Sequence, residues 1–347
     1  MASFEVGSSW RREGAAERRW RGIALALLLA TVGRAHAETI KIGVVKATPG
    51  AAIFIAKEKG YFAAENLSAE IKFLAGGQPI AVAVAAGDID FGVAALTAGF
   101  YSLAGQGALR IIAASNREAP GFHDQALVAS RTAFAAGLTA PKQLRGHAFA
   151  VTQIGSPPHY AVALLAQKYG FDLRSLRLVP LQSIPNQVSA VIGGKADAAM
   201  LPSAAALPLF ARGDMKRLAW IDDEVSWQFA AAFTSAKLAN NKRALVERFL
   251  AAYRRAMRDY HDAFTGPGEK RQDGPMAAEI ERLIARSIDR PVADVANSVA
   301  YADAEARLDV ADVWRQIAWY KAQGMLKPSI DSAALIDRRY VVALHGK

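Results

Sequence analysis

The chain has 347 residues, a formal net charge of +10 and no cysteine. Without thiols there is no disulfide framework, thiolate metal site, cysteine nucleophile or lipid-bearing cysteine. The basic residues are scattered or sit on helix faces, as in Lys242-Arg243 and Arg254-Arg255, so they read as a solvated surface and no nucleic-acid partner is expected. In chain order, Arg18, Arg19 and Arg21 come first, followed by the apolar run Ile23 to Val32 and the small-x-small triplet Ala35-His36-Ala37. The run is too short to cross a bilayer, so a cleavable signal peptide is predicted over 1–37 and a mature start at Glu38. An exported protein without a lipid anchor is best suited to a Gram-negative periplasm. The remaining chain is long enough for two lobes with separate cores.

Glu38 to Val45 reads as a strand, and Thr48-Pro49 as an N-cap and first position of a helix running to Lys59. A strand over Ala69 to Leu74 leads through Gly76-Gly77 to a helix over Pro79 to Ala86. Asp90 to Ala94 is a third strand, Thr97 to Gly105 a helix and Arg110 to Ala114 a fourth strand. This alternation predicts an α/β fold with a mostly parallel sheet. The rhythm restarts with strand 147–152, helix 156–169, strand 176–180, helix 186–192, and strands 196–201 and 217–221. Strand 229–234 crosses back. The remainder is helical: one long amphipathic helix over 241–264, then helices near 275–289, 291–301, 309–323 and 331–338. AVAAGDIDFGV at 83–93 and VSAVIGGKADAA at 188–199 share a small-residue helix, a glycine stop and an acid before a buried strand, consistent with two lobes of one plan.

With these elements in place, IKIGVVKATPGAAIFIAKEKGYFAAENLSAEI resembles the opening of the nitrate/sulfonate/taurine class of ABC-importer solute-binding proteins. The likeness includes Lys57, Gly60, Tyr61, Phe62 and Leu67. GGQPIAVAVAAGDIDFGVA, KQLRGHAFAV, VIGGKADAAML and WYKAQGMLKPSID extend it over nearly all of 38–340. The resemblance implies a type II periplasmic binding protein fold, with two doubly wound lobes, a hinge and C-terminal helices. Lobe one would be 38–122 plus 222–347, buttressed by those helices, and lobe two 123–221. It also implies a monomer that captures a small organic anion and hands it to an inner-membrane ABC permease. Fungal thiamine-pyrimidine synthases share the fold but use a cysteine-rich motif, which this chain lacks.

In open α/β sheets ligands collect outside the carboxyl ends of the strands, against helix N-termini whose N–H groups suit anions. The candidates are Thr48 and Pro49, Gly76, Gly77 and Gln78, Ala95 and Thr97, and Thr152, Gly155 and Ser156. His159 is a possible stacking surface or donor. Asn116, with Arg117 beside it, ends the fourth strand, and Ser203 and Trp227 lie near the crossover strands. Each also has a plain structural reading, as a cap, tight turn or packed side chain. Pro157 and Pro158 remove two N–H groups from the helix that starts after Ser156, which favours an organic anion over nitrate.

The sequence contains no G-x-S-x-G, H-E-x-x-H, P-loop or G-x-G-x-x-G, and its six histidines lack metal-ligand spacing. No catalytic residue, metal or cofactor is therefore expected. An exported enzyme of the same fold and a ligand-presenting sensor module are the competing readings.

Overall fold

The structure, a computed structural model, describes residues 1–3 and 37–344. The charged and apolar stretches of the expected signal peptide lie outside the described residues. From Glu38 the chain lays down β1 (Glu38–Val44), α1 (Ala51–Glu58, entered through a 3-10 turn at Thr48–Gly50), α2 (Tyr61–Ala64), β2 (Leu67–Phe73) and α3 (Gly77–Ala86). Next come β3 (Phe91–Ala95), α4 (Ala98–Gly105), β4 (Leu109–Ala114) and the two-residue β5 (Asn116–Arg117). The second set is β6 (Gln125–Ser130), α5 (Arg131–Ala135), β7 (Ala148–Val151), α6 (Pro157–Tyr169), β8 (Arg177–Pro180), α7 (Ile184–Ile192), β9 (Ala198–Pro202), α8 (Ser203–Ala211), β10 (Met215–Trp220) and α9 (Ile221–Glu224). The chain then returns through β11 (Ala230–Ser235) and continues as α10 (Ala236–Asn241), α11 (Arg243–Phe264), α12 (Ala277–Ile288), α13 (Val292–Ala296) and α14 (Val310–Ala322).

Two five-stranded sheets result. The first has the order β2-β1-β3-β11-β4, with β1 parallel to both neighbours and β11 antiparallel to both of its own. The second has the order β10-β6-β9-β7-β8, with β7 parallel to β8 and β9, and β6 antiparallel to β9 and β10. The chain crosses between the sheets twice, through 115–124 and back through 221–229.

Each sheet is covered by helices whose apolar stripes recur every three to four residues. On α11 the stripe is Leu245, Val246, Phe249, Tyr253, Met257 and Tyr260, all buried. The Phe249 ring stacks on Phe91 of β3 at 3.9 Å. Each such side chain contributes about 1.5–3 kcal/mol by leaving water, so α11 is fastened to the first sheet along its length. α14 also reaches the second set of elements. Its Trp319 meets α6 of the second set edge-on at His159 (5.1 Å) and Tyr160 (5.4 Å).

Four local readings are corrected. β6 was not expected, and its burial explains why: all six residues of QALVAS are buried, so no polar alternation marks it. α8 is disguised by Pro208 inside it. The helix expected over 291–301 is only Val292–Ala296, because Tyr301–Ala302 instead pairs with β5. The helix expected over 331–338 is a 3-10 turn at Ala333–Leu335. Among the described residues, no helix is long and apolar enough to cross a membrane.

Candidate functional site

The carboxyl ends of the parallel strands in both sheets converge on one cavity of about 370 Å³. From the first sheet it is lined by residues just past or at the ends of β1, β2 and β3: Val45, Ala75 to Pro79, Ala95 and Thr97. From the second sheet come Thr152 and Gln153 after β7, Gln182 after β8, and Met200 and Pro202 of β9. Such convergence is where open α/β sheets hold ligands. A second cavity of about 540 Å³ shares Ile184 and Pro202 with the first, and Lys46, Thr48, Arg290 and Asp294 are among its lining residues.

Of the residues singled out from sequence, Pro49, Gly76, Gly77, Gln78, Ala95, Thr97, Thr152 and Ser156 line the inner cavity together. Six do not. Thr48 faces the outer cavity. Asn116 is buried, with neither amide atom partnered, and lines a separate small void beside Tyr260. Ser203 is fully buried, its hydroxyl donating to the His123 carbonyl, because it opens α8 where a crossover strand was expected. Trp227 is packed between Tyr160 and Phe229 as core.

Gly155 and His159 satisfy each other: the Gly155 N–H donates to His159 Nδ1 at 3.1 Å. Gly155 is left-handed (φ 79°), and an added Cβ would lie 2.7 Å from the Ala98 Cβ, so glycine is needed for this close approach. Its carbonyl accepts from the Ala98 N–H (3.0 Å) and the Tyr320 hydroxyl (3.1 Å), joining the β7–α6 loop to α4 and α14.

The α6 start therefore offers little to a ligand. The Ser156 N–H donates to the Gln153 carbonyl (3.2 Å), and the His159 N–H donates to the Ser156 carbonyl (3.0 Å). Pro157 and Pro158 have no N–H. What remains is the Ser156 hydroxyl, buried and without a partner among the described residues. The α3 start is the opposite case. Among the described residues, the Gly77 and Gln78 N–H groups have no protein acceptor. A Cβ at Gly77 would lie 2.8 Å from the Ala95 carbonyl oxygen, so the turn is tight enough to need glycine. Thr97 is a working N-cap: its hydroxyl oxygen accepts from the Phe100 N–H (3.1 Å).

The inner lining carries no charged side chain. Its polar groups are the hydroxyls of Thr97, Thr152 and Ser156 and the amides of Gln78, Gln125, Gln153 and Gln182. Sequence reasoning missed Gln125, Gln153, Gln182, Met200 and Phe229, which come from strand ends far apart in the chain. Gln153 carried the one faint signal, a polar residue directly after the strand expected over 147–152. Behind the lining, burial pushes the His159 imidazole down to about 4, so it is neutral at ordinary pH.

An uncharged cradle of dipoles between two sheets can hold an anion whose charge is spread out, or a neutral polar group. It lacks a nucleophile–base pair for covalent chemistry.

Comparison with known proteins agrees with this architecture. The family model described as NMT1/THI5 like matches residues 48–267. No curated protein matches the chain. Among solved structures, the periplasmic aliphatic sulphonate binding protein SsuA of Escherichia coli is 15% identical, with a TM-score of 0.68 over 89% of this chain and 94% of that one. The alkanesulfonate-binding protein SsuA of Xanthomonas axonopodis pv. citri, bound to MOPS, is 18% identical, with a TM-score of 0.68 over 87% and 99%. The periplasmic nitrate-binding protein NrtA of Synechocystis PCC 6803 is 15% identical, with a TM-score of 0.64 over 86% and 84%. The shared fold is that of periplasmic binding proteins. With the family match spanning well over half its length, the chain belongs to the NMT1/THI5-like family.

Proposed function

We propose that this protein is the periplasmic substrate-binding component of an ABC importer, capturing a small organic anion by hinge closure. The observation that carries the reading is the inner cavity, drawn from both sheets and furnished with uncharged donors alone. Lobe one is 38–122 with 222–347 and lobe two is 123–221, the two crossing segments forming the hinge. Ligand contacts to both lobes give the closed form its differential affinity. The anionic group sits at the α3 start, against the Gly77 and Gln78 N–H groups and the Ser156 hydroxyl. Its organic body packs on Pro49, Pro157, Met200 and Phe229. A concentrated inorganic oxyanion would want more donors than this, so a sulfonate or carboxylate is favoured over nitrate. The protein acts as an exported monomer that delivers its ligand to an inner-membrane permease and performs no chemistry on it.

A thermal-shift screen of alkyl and aryl sulfonates, aromatic carboxylates, pyrimidines, bicarbonate and nitrate tests this. A ligand at a hundred times its Kd adds about 2.7 kcal/mol of stability. An organic anion should raise Tm, with nitrate failing to displace it in calorimetry. If no organic anion stabilises the protein, the reading fails. If nitrate competes equally, the choice of an organic anion fails.

A further inference from the structure

The two crossing segments bring together side chains that the cavity does not use. His123 ends the first segment, and Asp222 and Asp223 open the second. One ligand atom from each lies within 4.8 Å of the others. The His123 backbone is left-handed (φ 57°), and its ring stacks on Trp220 at 4.8 Å. Its Nε2 is 3.0 Å from Asp223 Oδ2. Each carboxylate also accepts from a backbone amide of the first crossing segment. The His123 N–H donates to Asp222 Oδ2 (2.8 Å), and the Gly121 N–H donates to Asp223 Oδ1 (3.2 Å). Hydrogen bonds that fix the side chains are how metal sites orient their ligands.

One atom is left without an explanation. Asp222 is 1% exposed, yet among the described residues its Oδ1 has no hydrogen-bond partner. A buried carboxylate oxygen left bare is costly. Glu118 is 2% exposed, and among the described residues neither of its carboxylate oxygens has a hydrogen-bond partner. The corner is short of positive charge. Among the described residues no lysine or arginine pairs with Asp222 or Asp223, and the Arg217 guanidinium is placed over the Trp220 ring at 4.7 Å.

One imidazole nitrogen and two carboxylate oxygens suit a borderline divalent cation better than Ca²⁺, which prefers an all-oxygen shell. Zinc bonds of about 2.0–2.2 Å in a tetrahedron set ligand atoms about 3.3 Å apart, so the 3.0 Å between His123 and Asp223 needs only a slight opening. We propose that His123, Asp222 and Asp223 bind a divalent transition-metal ion that staples the two crossing segments together. Sequence spacing hides the set, because 99 residues separate His123 from Asp222.

The test is calorimetric titration of the purified, chelator-stripped protein with zinc chloride near neutral pH, without organic ligand, so its outcome does not depend on the importer reading. The expected result is one Zn²⁺ per chain. His123→Asn and Asp223→Asn should each weaken binding on the order of ten-fold or more. Both positions are partly exposed, and asparagine tolerates the left-handed backbone at 123, so the metal-free variants should melt as the parent does. No zinc uptake, or parental zinc affinity in either variant, overturns the proposal.

Discussion

The starts of α3 and α6 look alike in sequence, each a short polar or glycine turn between a strand and a helix, yet they meet the cavity differently. At α3, two backbone N–H groups have no protein acceptor among the described residues. At α6, every available N–H is consumed: by the Gln153 carbonyl, by the Ser156 carbonyl and by the His159 ring. Two prolines remove the rest. A helix N-terminus is thus an anion site only when nothing nearer has taken its donors. A ligand in this cavity would find a hydroxyl at α6 and a pair of amides at α3.

The largest test of this contrast is Gly77→Val. The new side chain would press on the Ala95 carbonyl and displace the α3 start. Losing two hydrogen bonds to a charged group removes about 3 kcal/mol, roughly a hundred-fold in affinity, readable by calorimetry with the best ligand from the screen. Ser156→Ala should cost about ten-fold in affinity through one such bond. It should not lower the Tm of the empty protein, because the hydroxyl it removes is buried and unpartnered there. A fall in both would mean that Ser156 is structural.

A third expectation concerns acid. His159 titrates near 4 when folded, against an ordinary value of 6.5. The unfolded chain therefore takes up the proton first as pH drops. Stability from this group is complete above about 6.5 and falls away as pH goes down towards 4. His159→Gln keeps an acceptor near the Gly155 N–H and removes this titration, so its urea midpoint at pH 4.5, relative to that at pH 7.5, should be higher than the parent's. The smallest effect is expected from Pro158→Ala, which restores an N–H at the second position of α6. It should raise affinity for small oxyanions by a few-fold at a cost of up to about 1 kcal/mol in stability. No gain would mean that the α6 start does not face the ligand.

Much of the fold was legible because strands and helices alternate with glycine stops, and these punctuate the sequence locally. β6 was not, since QALVAS is buried at every position and so carries no alternation of buried and exposed residues. The site was legible where a turn made it, at Gly76 to Gln78, Thr97, Thr152 and Ser156. It was illegible where burial decided. His159 and Trp227 point into packing that depends on α14 and α6, brought together only by the tertiary fold. The glutamines at 125, 153 and 182 enter the cavity from separate strand ends, so no spacing links them.

The central claim is that a dipole-lined gap between the two sheets receives an organic anion. A crystal structure of the protein with its tightest-binding sulfonate or carboxylate tests it most directly. The account predicts the anionic oxygens against the Gly77 and Gln78 N–H groups and the Ser156 hydroxyl. Ligand density elsewhere, or those oxygens paired with Lys46 and Arg290 in the outer cavity, would contradict it.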